Sequence, residues 1–92
     1  MKKDIVKTLF WKGNTLHLLD QLALPSKIVY KQCKTYTEVS EAIKNMIIRG
    51  APAIGVAGAF GVLLAGIKAS RLSPLEKLSY IKKASEVLIS SR

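Results

Sequence analysis

The spacing of apolar residues divides the chain into a front third with a period of two and a longer remainder with a helical period. Ile5 to Trp11 is rich in β-branched and aromatic residues, interrupted by Lys7, and reads as a strand. Thr15-Leu16-His17-Leu18-Leu19 reads as a second strand, and Lys12-Gly13-Asn14 between the two predicts a hairpin. Leu24-Pro25-Ser26 breaks the pattern before a third strand over Lys27 to Cys33. Such a three-stranded antiparallel sheet is marginal alone and must lean on the helical remainder of the chain.

At Thr35 the period changes. Either Thr35 with Glu38 forms a capping box, or Thr37 caps with Glu38 and Glu41 in the first turn. Val39, Ala42, Ile43 and Met46 then recur at helical spacing, predicting a first helix to about Ile48. Pro52 suits the first position of a second helix, running to roughly Ala69. Ser73-Pro74-Leu75-Glu76 starts a third, with Ser as N-cap, Pro at N1 and Glu at N3. Leu75, Leu78, Ile81, Ala84 or Ser85, and Leu88 give that helix one apolar face. The order β-β-β-α-α-α predicts an α+β fold, a small three-stranded antiparallel sheet followed by a three-helix segment.

Between Arg49 and Lys68 lie eighteen uncharged residues, the lower edge of what a transmembrane helix needs. Gly and Ala dominate the segment, and Pro52 shortens its usable length. Small residues recur every four positions in Ala51, Gly55 and Ala59, and again in Ala57, Gly61 and Ala65, which permits close backbone approach. These features favour a central helix buried by its neighbours over a membrane span.

Length and charge then narrow the function. Ninety-two residues make at most one domain, and a chain of this size buries only about 60–65% of its unfolded surface. Lys+Arg total 15 and Asp+Glu 6, a net charge of +9. The basic residues are spread over both halves, and the only adjacent pairs are Lys2-Lys3 and Lys82-Lys83, a solvated surface rather than a nucleic-acid or lipid footprint. No nucleic-acid or membrane partner is expected. One cysteine and one histidine leave no disulfide framework and no multi-cysteine zinc site, so no metal is expected. The start carries no uninterrupted apolar run, and a cytoplasmic location is the expectation.

Candidate chemistry concentrates in Ile48-Arg49-Gly50-Ala51-Pro52-Ala53-Ile54-Gly55. The first turn of a helix opening near Pro52 has backbone N–H groups without intrahelical acceptors, and its dipole favours an anion. Gly50 and Ala51 place no bulk in the way, and Arg49 adds a fork of donors matching phosphate oxygens. The competing reading is structural: Arg49 closes the first helix and pairs its C-terminus while Gly50 terminates it. Elsewhere the expectations are structural: His17 has no ligand set around it, Cys33 is a packed thiol, Asp20-Gln21 bonds across a turn, and Trp11 belongs to a core or interface.

Two segments carry a resemblance. Trp11 followed by Leu16-His17-Leu18-Leu19-Asp20-Gln21 and Leu24-Pro25, and then Ala42 to Gly55 with its Arg-Gly-Ala-Pro-Ala-Ile-Gly, resemble the opening of the 5-methylthioribose-1-phosphate isomerase family. The resemblance extends over nearly the whole chain from Ile5. It implies an aldose–ketose isomerisation of 5-methylthioribose 1-phosphate to 5-methylthioribulose 1-phosphate in methionine salvage, without a cofactor. It further implies an N-terminal domain over residues 1–92, a Rossmann-like catalytic domain downstream, and a homodimer at full length. Arg49, Gly50 and Ala51 match the family's substrate-binding residues, and Arg92 stands where a second substrate-binding arginine falls. The family's catalytic cysteine and aspartate belong to the downstream domain, so Cys33 and Asp20 are not their counterparts, and the 92 residues alone are expected to be inactive. Relatives among initiation-factor regulatory subunits leave a second reading open, a sugar-phosphate or nucleotide-sensing module without catalysis.

Overall fold

The computed structural model describes residues 7–48 and 50–91. Three strands, β1 (Leu9–Lys12), β2 (Thr15–Leu19) and β3 (Tyr30–Cys33), form one antiparallel sheet in the order β1-β2-β3. The hairpin is set by backbone conformation. Gly13 and Asn14 have φ of 61° and 55°, and Lys12 pairs with Thr15, so a two-residue turn with both central residues left-handed matches the twist of the strands. The strands are shorter than the apolar pattern: Lys27, Ile28 and Val29 lie outside β3, and residues 5 and 6 of the first predicted strand lie outside the described residues.

β2 is the central strand, and its alternation separates two environments. Leu16 and Leu18 are fully buried towards the helices, with Cys33, Val39 and Ile48 alongside. His17 lies between them in sequence and stacks on Phe10 of β1, ring centroids 4.5 Å apart, while Tyr30 meets Phe10 edge-on at 5.1 Å. The histidine is therefore held in an aromatic ladder, as a sheet-face residue.

Helix α1 spans Tyr36–Lys44. Thr35 is its N-cap, the hydroxyl accepting from the Glu38 N–H at 3.2 Å, and the Glu38 carboxylate accepts from the Lys34 N–H at 2.7 Å. Its end corrects the periodicity, which carried the helix to about Ile48. Met46 turns left-handed at φ 61°, the Met46 N–H donates to the Ile43 carbonyl at 3.2 Å, and the Ile47 N–H reaches the Ala42 carbonyl at 3.0 Å. This is a Schellman termination with methionine where glycine usually stands. Ile48 is still buried, but as part of the connection, so its apolar signal came from the core and not from a helix.

Helix α2 spans Ala51–Lys68 and α3 spans Pro74–Ile89. Pro52 is the second residue of α2, one position later than expected. The complete capping box of Ser73 and Glu76 opens α3 as predicted, with Pro74 first in the helix. Gly61 lets the three helices converge: a Cβ there would meet Leu88 of α3 at 2.8 Å and Val39 of α1 at 3.4 Å. Trp11 stacks on Phe60 at 5.4 Å and joins the sheet to α2. A buried hydrogen bond between Ser40 and Ser91 ties α1 to the turn after α3.

Two expectations about burial need correction. The second helix is not enclosed by its neighbours: only Ala57, Gly61, Leu64 and Ala65 of its eighteen residues are buried. Its length and composition alone would suit a membrane, but α1 and α3, both rich in charged residues, pack on the side that carries Ala57, Gly61 and Ala65. The apolar face of α3 is divided as well. Ala84 and Leu88 are buried, whereas Leu75 and Leu78 are 81% and 66% exposed.

Candidate functional site

The site is built where α2 begins. Gly50 is its N-cap at φ 97°, a backbone conformation that side chains resist, and it contributes no side-chain cap. Its carbonyl takes the first helical hydrogen bond from the Ile54 N–H at 2.9 Å. Ala51 and Ala53 point N–H groups out of the first turn, where the helix supplies no acceptor, and Pro52 has no N–H to offer. No acidic residue occupies this turn to neutralise the positive end of the dipole. The arrangement can hold an anion of phosphate size, with backbone donors and no Cβ at Gly50 to obstruct it.

The helix-terminus alternative changes at this point. Because α1 ends at Lys44 and its reversal is made by Met46, Gly50 does not terminate that helix. Gly50 belongs instead to the start of α2. Arg49 and Arg92, the two arginines expected to bind substrate, lie outside the described residues.

A connection that sequence reasoning missed joins the two motifs. The Gln21 N–H donates to the Ile47 carbonyl at 2.7 Å, so the loop after β2 is pinned to the connection leading into Gly50. Asp20 makes the expected local turn, its carboxylate accepting from the Leu22 N–H at 2.9 Å. Its role in this structure is to shape the loop that presents Gln21. The signal available in the sequence was that both segments belong to one resemblance, although 26 positions of chain separate Gln21 from Ile47.

Ala51 and Pro52 are also the near end of an open apolar groove of about 600 Å³, which runs along α2 past Gly55, Val56 and Ala59 to Leu63. The candidate anion seat thus opens onto apolar surface. Cys33 stands apart from it, buried in the core, where burial pushes its thiol up to about 11 and leaves it protonated at neutral pH. Among the described residues no three of His, Cys, Asp and Glu gather as a metal site.

No family model matches the chain. Individual proteins do. It is 50% identical over 86 residues to the methylthioribose-1-phosphate isomerase of Thermotoga neapolitana, covering 94% of this chain and 24% of that protein. It is 45% identical over 85 residues to methylthioribose-1-phosphate isomerase 1 of Pseudothermotoga lettingae, covering 92% of this chain and 25% of the relative. Among solved structures, 5-methylthioribose 1-phosphate isomerase from Pyrococcus horikoshii superposes with a TM-score of 0.90 at 35% identity, over 96% of this chain and 25% of that one. The delta subunit of translation initiation factor eIF-2B from A. fulgidus gives 0.87 at 36% identity, over 96% and 26%. The chain spans about a quarter of the length of these relatives and matches their N-terminal part.

Proposed function

We propose that the chain is the N-terminal domain of a sugar-phosphate isomerase that converts 5-methylthioribose 1-phosphate to 5-methylthioribulose 1-phosphate, and that it supplies the seat for the substrate phosphate. The observation that carries this reading is the 45–50% identity to methylthioribose-1-phosphate isomerases along more than nine tenths of the chain. The uncapped start of α2 gives that identity a physical role. The N–H groups of Ala51 and Ala53 and the open approach at Gly50 suit phosphate oxygens, and Arg49 would complete the set with a guanidinium. Arg92 is a second phosphate or sugar contact in this proposal. Cys33 and Asp20 have structural roles and take no part in proton or hydride transfer, which we assign to a downstream Rossmann-like domain. The assembled protein is a cytoplasmic homodimer in this reading.

The test joins these 92 residues to the remaining three quarters of the Thermotoga neapolitana relative and assays isomerisation. A charge-assisted phosphate contact contributes about 1.5–3 kcal/mol, so Arg49→Ala in that chimera is expected to lower kcat/KM at least tenfold. Unchanged kinetics would sink the phosphate seat, and a folded chimera without turnover would sink the isomerase reading. A second reading has its own support in the close superposition on the initiation-factor subunit. In that case the chimera binds the sugar phosphate but does not convert it.

A further inference from the structure

Ser40 of α1 and Ser91, in the turn after α3, are 1% and 6% exposed and hydrogen bonded to each other. Everything else that α1 and α3 bury is apolar: Val39, Ala42 and Ile43 on the first, Ala84 and Leu88 on the second. The direction of the bond follows from the protons available, one to each hydroxyl. Ser91 donates its own to the Val87 carbonyl at 2.9 Å, so it accepts from Ser40. The Ser90 hydroxyl donates to the same carbonyl at 2.9 Å, and the Ser90 and Ser91 N–H groups reach the Glu86 and Leu88 carbonyls at 3.0 and 3.2 Å. The end of α3 is thus closed by its own serines, and Ser40 fastens that closed end to α1.

Stability alone does not call for this bond. Replacing both partners of a buried hydrogen bond by apolar groups of the same shape is nearly neutral. What a directional bond adds to apolar contacts is register, because an O–H···O bond weakens steeply as its partners are displaced. Its place in the fold shows which register is held. Ser91 immediately precedes Arg92, and consecutive Cα atoms are about 3.8 Å apart, so holding Ser91 holds the point from which Arg92 departs. Ser40 stands one turn before the end of α1, and the chain leaving that helix leads into Gly50. The bond joins the element that leads to the phosphate seat to the element that leads to Arg92. We infer that Ser40 and Ser91 are positioning residues for substrate binding, their hydrogen bond setting Arg92 in register with the seat at Gly50. The inference rests on the functional reading above, in which Arg92 contacts the substrate.

The experiment uses the Thermotoga neapolitana chimera and replaces both hydroxyls at once, Ser40→Ala with Ser91→Ala, so that neither is left unpaired. The double variant is expected to melt with the parent and to raise KM about tenfold, as a misplaced binding group does. In an Arg92→Ala background the same pair should change KM by less than about twofold, because residues that act through one another are not additive. An unchanged KM in the double variant would overturn the inference. So would an equal rise with and without Arg92, which marks the serines as structural, or no effect of Arg92→Ala by itself. A double variant that melts well below the parent would show that the bond serves stability and would overturn it too. Where the parent chimera binds the sugar phosphate without converting it, Kd replaces KM. A serine effect on Kd that requires Arg92 then keeps the inference and discards the isomerase. Turnover that depends on Arg49 but is indifferent to the serines does the reverse.

Discussion

The sheet with α1 and the α2–α3 pair use apolar residues at similar density, but they place them differently. Leu16, Leu18, Cys33 and Val39 are fully buried within the chain, enclosed by the sheet and the helices packed on it. Leu63, Leu75, Leu78 and Ile89 follow helical spacing just as faithfully and remain exposed. Periodicity reports which face of an element is apolar, and it is silent about what covers that face. In the first region the cover is local. In the second, no described element of the chain supplies it.

The largest test of this contrast uses one substitution at two sites. Leu16→Ala, in the closed core, should cost about 2–5 kcal/mol in urea unfolding. Leu75→Ala should stay within about 0.5 kcal/mol. Similar losses at both sites would erase the distinction between the regions.

Two glycines of α2 sharpen it. Gly61→Val would overpack the junction with Leu88 and Val39 and should destabilise the chain by about 1–3 kcal/mol. Gly66 faces open space, so Gly66→Ala should raise stability by about 0.5–1 kcal/mol through helix propensity. A comparable gain is expected at the end of α1. Met46→Gly relieves a left-handed methionine and should stabilise by about 1 kcal/mol, read as a higher Tm.

The smallest effect is nil at neutral pH. Folding raises the Cys33 thiol from 9.0 to about 11, so the native state keeps a proton that the unfolded chain releases. Stability therefore falls as pH rises from about 9 to 11, and the lost part is present below that window. Cys33→Ala should show a shallower alkaline decline than the parent chain. Parallel declines would mean that the thiol is not held by the core.

Much of the fold was legible because its signals are local. Gly13-Asn14 dictates a tight hairpin, Ser73 to Glu76 satisfy the orphan N–H groups of α3, and Pro52 is compatible only with the first turn of α2. These depend on backbone sterics and hydrogen bonds within a few residues, which sequence states directly. The end of α1 was misjudged because Ile48 is apolar for a tertiary reason. No short-range rule distinguishes that from one more helical turn.

The candidate site divides along the same line. The sequence by itself determined the Arg49-Gly50-Ala51-Pro52 junction, the lack of an acid in the first turn of α2 and the resemblance that gives these residues a substrate. Only the tertiary structure decided that Gly50 starts one helix without ending another, and that Gln21 is bonded to Ile47. It alone also showed that α2 is half uncovered. The physical reason is range: conformational preferences and charges belong to single residues, whereas burial and long-range hydrogen bonds exist only once distant segments have met.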